Sequence, residues 1–177
     1  NVGHFNAFLR KYSSSGVHLW THQFSANVDT TAFGVAADSD GNIVVVGRTA
    51  GDLQGTNLGG NDAFARMYSS DGTIKWTQQF GSASDDEAVS VALLPDTVFI
   101  AGITDGSLPG HVNAGNTDVF VVRLDASTGN TVWTTQFGTV NGDYNHGVVV
   151  ASDGKVVIAG NTYGPLEAGA PGSGDAY

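Results

Sequence analysis

Short apolar runs, each bounded by glycine, serine, asparagine or aspartate, recur along the whole chain and predict β-strands separated by tight turns. In the middle of the chain they fall at 61–69, 73–80, 87–94 and 97–104. The last run of each group is continuously apolar: Ile43-Val44-Val45-Val46, Val98-Phe99-Ile100-Ala101 and Val156-Val157-Ile158-Ala159, each closed by a glycine. An unbroken run of this kind predicts a strand buried on both faces. The run around Trp76 alternates instead, with Trp76, Gln78 and Phe80 on one side and Thr77 and Gln79 on the other, which predicts an outer strand with one polar side.

The groups are copies of one another. The triplet of Asn or Asp, a small residue and an aromatic stands at Asn6-Ala7-Phe8, Asp62-Ala63-Phe64, Asp118-Val119-Phe120 and Asp175-Ala176-Tyr177. Trp20, Trp76 and Trp133 follow, each with Gln-Phe at the third and fourth positions after it. The chain therefore divides into repeats at about 6–61, 62–117 and 118–174, with 175–177 starting a further one, all in one repeat domain spanning 1–177. Within each repeat, Ser15-Gly16, Asp71-Gly72 and Thr128-Gly129 sit between the first two strands, and Asp40-Gly41 and Asp153-Gly154 between the last two. Glycine supplies the positive φ of a tight hairpin there, while the middle repeat uses Pro95-Asp96. A Thr-x-Gly-x-Leu segment and a Gly-rich loop then lead to the next triplet, at 50–60, 105–117 and 163–174.

These residues resemble the bacterial-type β-propeller repeat called SBBP: Asp-Ala-Phe, a Gly turn, Trp, a Gly-containing loop with acids, then Gly-Asn and an apolar strand ending in Gly. The likeness covers essentially the entire chain and departs at Ser25-Ala26-Asn27 and at Pro95. It implies an all-β fold, a β-propeller segment of about three blades of four antiparallel strands, in a non-catalytic and commonly extracellular setting, with no particular ligand. It also implies that the third strand of each repeat, rich in small residues (Phe33 to Asp38, Ala88 to Leu94, Gly147 to Ser152), is innermost. The chain would then hold two whole blades flanked by two half blades. A β-trefoil, which also draws its strands from three repeats, is the alternative architecture.

Composition narrows the functional classes. Seventeen acids against seven Lys and Arg give a net charge of −10, which repels a phosphate backbone and argues against a nucleic-acid partner. No apolar run approaches the roughly 18 to 20 residues that span a bilayer, so membrane insertion is not expected. The absence of cysteine removes disulfides and thiolate chemistry. The chain starts at Asn1 without an initiator methionine or signal-peptide pattern, so it is expected to be processed or part of something longer. Propellers close with 4 to 8 blades. An open arc leaves apolar blade faces in water, at a cost on the order of 10 kcal/mol if four or five large side chains are exposed per face. Protein partners, or further repeats or copies of the same chain, are expected to complete the ring.

Candidate chemistry is sparse. Asp29, the group Asp85, Asp86 and Glu87, and Asp143 follow the Gln-Phe pair in each repeat. Their carboxylates could hold calcium, a hard cation that takes oxygen ligands, or could cap the turn entering the inner strand by accepting backbone N–H bonds. Of these, Asp29, Asp85, Asp86 and Asp143 are the candidate metal ligands; no other cofactor is suggested. The five histidines recur at no common repeat position, and Ser13-Ser14-Ser15 and Ser69-Ser70 lie in turns with no nucleophile elbow. No catalytic residue emerges. The expected function is a non-enzymatic scaffold or interaction module, extracellular or in the cell envelope, binding through its Gly-rich loops. The alternative is a propeller enzyme of lyase, lactonase or glycosidase type, with its site at the central funnel.

Overall fold

A computed structural model describes residues 4–167 and 175–176. Its elements are strands alone: β1 (Ala7–Tyr12), β2 (His18–Phe24), β3 (Thr30–Ala37), β4 (Ile43–Thr49), β5 (Asp62–Tyr68), β6 (Ile74–Phe80), β7 (Asp86–Leu93), β8 (Thr97–Thr104), β9 (Asp118–Asp125), β10 (Thr131–Phe137), β11 (Asp143–Val150), β12 (Val156–Thr162) and β13 (Asp175–Ala176). Hydrogen bonding sorts them into sheets β1-β2, β3-β4-β5-β6, β7-β8-β9-β10 and β11-β12-β13, with every pairing antiparallel. These are two whole propeller blades and two partial ones, not the hairpin triplet of a trefoil. Each whole blade takes its inner pair of strands from one sequence repeat and its outer pair from the next.

Blade stacking follows from residue alternation on the second strand of each sheet. Val44 and Val46 of β4 enter one core with Met67, Trp76, Val98, Ile100 and Phe120, while Ile43 and Val45 face the opposite way, toward Ala7, Leu9, Phe64 and Tyr68. On β8, Val98 and Ile100 join that first core, and Phe99 and Ala101 turn to a third, with Val121 and Val148. A strand with a blade on either side needs apolar residues at every position, which is why β4 and β8 read as continuous runs. β12 departs from that expectation. Its residues Val156 to Ala159 alternate between half-buried and exposed, because among the described residues only one of its faces is covered by another blade.

The inner strands β3, β7 and β11 lie beside one another. Each carries a register shift at the same place, between Ala32 and Gly34, Ala88 and Ser90, and Asn145 and Gly147, the mark of a bulge that bends the strand. The small residues let three strands converge: a methyl added to Gly34 would stand 3.0 Å from the Val89 carbonyl. Where the first repeat carries Ser25-Ala26-Asn27, Asn27 takes a left-handed backbone, φ 64°, the one non-glycine residue to do so among those described.

Aromatic residues seal the seams between blades. Phe24 meets Phe64 edge-on at 5.8 Å, and Phe80 meets Phe120 in the same way at 5.9 Å. Trp76 donates its indole N–H to the Ala126 carbonyl of the next blade at 2.8 Å, lying over Gly129. Packing, not ligand stacking, accounts for the repeated aromatics.

Candidate functional site

The long loops that join the blades are held rather than loose. Gln79, on the polar side of β6, accepts from the Leu53 and Gln54 N–H groups at 2.8 and 3.1 Å and donates to the Gly51 carbonyl at 3.1 Å and to Asp62 Oδ2 at 2.8 Å. Gln136 repeats this at the next loop, accepting from the Leu108 N–H at 2.9 Å and donating to the Gly106 carbonyl and to Asp118 Oδ2, each at 2.9 Å. The polar side of the outer strand is therefore a loop anchor. Asp62 and Asp118 fasten the far end of each loop through the Leu58 and Ala114 N–H groups, at 2.9 Å each. In the third loop only 163–167 falls within the described residues.

The candidate acids are placed in two different ways. Asp29 and Asp85 are exposed turn caps: Asp29 accepts from the Phe5 N–H at 2.8 Å, and Asp85 from the Asn61 N–H and side-chain amide at 2.7 Å each. The Asn61 donors hold the Asp85 carboxyl below its ordinary range. Asp86 and Asp143 are buried. Asp86 Oδ2 accepts from the Ser82 N–H and hydroxyl at 2.6 and 3.0 Å, and Asp143 Oδ2 from the Thr139 N–H and hydroxyl at 2.6 and 3.1 Å. Burial pushes the Asp86 carboxyl up, against the Ser82 and Thr104 donors and together with the charge on Asp62. Neighbouring Asp85 and Asp86 thus point to opposite sides of the strand.

Each buried acid meets a second one that the sequence reading treated only as a strand start. Asp62 faces Asp86 across Gly81, where an added methyl would stand 2.6 Å from Asp86 Oδ2 and 3.0 Å from Asp62 Oδ1. Asp118 and Asp143 face each other across Gly138 in the same manner. A sequence signal for these pairs exists: the first repeat replaces all three residues together, with Asn6, Ser25 and Thr30. Among the described residues no group of three or more His, Cys, Asp or Glu side chains is placed to hold a metal ion.

Two apolar hollows lie at the partial blades. One, of about 400 Å³, runs between β1 and β3 and is lined by Phe8, Leu9, Phe33, Val35 and Val45. The other, of about 160 Å³, is lined by Val119, Phe137, Tyr144 and Ile158. Residues at equivalent repeat positions differ sharply here. Phe64 and Phe120 are fully buried, but Phe8 is 67% exposed. Trp76 is 8% exposed and Trp133 is 38%.

Comparison with known proteins agrees with this architecture. The family model SBBP, described as a beta-propeller repeat, matches residues 19–54, which run from β2 through β4 into the first long loop. The chain is also 27% identical over 109 residues to the regulatory protein FlaEY of Caulobacter vibrioides, an alignment covering 57% of this chain and 11% of that protein. The chain thus spans a small part of the relative's length.

Proposed function

We propose that this chain, which carries the SBBP-type β-propeller repeat, is a non-enzymatic scaffold and interaction module whose partial blades are completed by further repeats or copies of its own kind. The observation that carries this reading is the contrast between Phe8 at 67% exposure and its counterparts Phe64 and Phe120 at 0%. One motif position has the same residue three times: Phe64 packs on Phe24 and Phe120 on Phe80 of the blade before, and Phe8 lacks burial because among the described residues no blade stands before β1. The hollow between β1 and β3 lies where the inner pair of strands stands in the whole blades. Strands of the kind of β11 and β12 have the shape and apolar faces to fill it, as β3 and β4 do beside β5.

Contacts with a protein partner then fall to the long loops, which vary among repeats while their Gln and Asp anchors do not. The regulatory role named for the relative is in keeping with an interaction module. A net charge of −10 disfavours nucleic acid, and no helix of the described residues is long and apolar enough to cross a membrane. Polar groups that break the repeat do meet at the inner strands, where the Ser90 hydroxyl donates to Asn145 Oδ1 at 2.9 Å and Glu87 pairs with Arg48, and they are the observation that favours a propeller enzyme as the second reading.

Sedimentation of the chain over a range of concentrations tests completion by like strands. Self-association is expected, weakened by Phe8→Asp, which places a charge in the hollow. A fully folded monomer at every concentration would overturn the reading.

A further inference from the structure

Four aspartates lie at the seams between blades with almost no exposure: Asp62, Asp86 and Asp118 at 0% and Asp143 at 1%. Each has one oxygen, Oδ2, doubly served by the donors described above. Donors on a carboxylate favour its ionised form. The other oxygen, Oδ1, is buried and without a hydrogen-bond partner in all four residues.

Thr104, paired with both Asp86 and Asp118 across β8, stands as a donor beside Asp86, but it has a single hydroxyl proton, within 3.2 Å of the Gly106 carbonyl, and cannot serve both seams. Thr162, paired with Asp143, sends its proton to the Gly164 carbonyl at 2.7 Å. The ion pairs of the described residues join His4 to Asp29, Arg48 to Glu87 and Lys155 to Asp153, and none reaches these four carboxylates. In each seam the orphaned oxygen of the triplet aspartate is aimed at the carboxylate opposite, with only a glycine between. Two like charges cannot be left facing each other in a dry seam; either a proton or a cation must stand with them.

We propose that each of these two seams binds a divalent, oxygen-seeking cation of the calcium class, one at Asp62 and Asp86 and one at Asp118 and Asp143. A divalent ion matches the charge of two carboxylates, and a donor set of oxygens without sulfur or imidazole selects calcium over zinc or copper. Gly81 and Gly138 are glycine because a side chain there would enter the space the carboxylates share. The first seam is the internal comparison. There Asn6, Ser25 and Thr30 stand in place of the acid, glycine and acid, and the Thr30 hydroxyl is satisfied at 3.1 Å from that of Thr49, so no ion is required. The described residues hold two such sites, not three. The inference is independent of what the propeller binds through its loops.

Equilibrium dialysis of the chelator-stripped chain against calcium, with urea unfolding in the presence and absence of calcium, tests this. The expected result is two calcium ions per chain and a higher unfolding midpoint with calcium. Asp86→Asn is expected to lower the stoichiometry to one, and Asp29→Asn with Asp85→Asn to leave it at two. Should the Asp86 variant fail to fold, the wild-type stoichiometry and the exposed-cap variants decide alone. No calcium uptake and no change in midpoint would overturn the proposal, as would uptake abolished by the exposed-cap variants. A seam carboxyl carbon that titrates unchanged by calcium would show that a proton, not a metal ion, joins the pair.

Discussion

Removing the same phenylalanine from two equivalent repeat positions should have very different consequences. Phe64 is 0% exposed, packed edge-on against Phe24 in the seam between the first two blades. Truncation to alanine removes its burial and leaves a cavity in packed surroundings, which costs about 3–5 kcal/mol. Phe8 is 67% exposed, so only about a third of the benefit of burying a phenylalanine is present to lose, roughly 0.5–1 kcal/mol. With a urea dependence of about 2 kcal/mol per molar for a domain of this size, Phe64→Ala should lower the unfolding midpoint by roughly 1.5–2.5 M and Phe8→Ala by no more than about 0.5 M. Both are read by fluorescence-monitored unfolding at concentrations low enough to suppress association. If Phe64→Ala unfolds the chain outright, Phe64→Leu gives a milder step that keeps the ranking. Equal losses at the two positions would refute the assignment of Phe8 to an uncovered blade face. A Phe8→Ala loss that grows with protein concentration would instead fit burial of that residue on association.

Gln79→Ala should cost about 3 kcal/mol, because it removes bonds to two loop N–H groups, one carbonyl and the buried Asp62 carboxylate. Hydrogen exchange at Leu53 and Gln54 should quicken selectively, and unchanged protection there would contradict the anchoring role. Asp125 is held down to about 2 by the Ser127 and Thr128 hydroxyls and the Thr128 N–H at its turn. A depressed folded value contributes stability above the unfolded one, so the difference between wild type and Asp125→Ala should be complete near neutral pH and fade as pH falls from about 4 toward about 2. A difference that persists below that range would remove the carboxylate as its source.

How much could be read in advance differs from residue to residue. The strand around Trp76, the Asp71-Gly72 and Asp40-Gly41 turns and the doubly buried β4 and β8 were legible because each expresses a local rule: alternation, a glycine with φ of 91° or 80°, or an unbroken apolar run. Asp86 and Asp143 were visible as acids in a fixed place. Their partners Asp62 and Asp118 were not, since an aspartate that opens a strand has an ordinary explanation within its own strand. Asp29 and Asp85 looked like the buried acids in sequence yet stand in solvent as caps, one residue before the strand whose direction decides burial.

By itself, the amino-acid order determined the copied unit, the position of nearly every strand and the turns that join them, because these depend on side chains a few residues apart and on the backbone preferences of glycine, proline and aspartate. Only the tertiary arrangement decided which faces meet. It buried Phe64 and bared Phe8, hid Val98 to Ala101 and opened Val157 and Ala159, and set two aspartates from different blades against one glycine. Burial and charge pairing are properties of what lies across a seam, and a repeat carries no record of whether a neighbour is there to cover it.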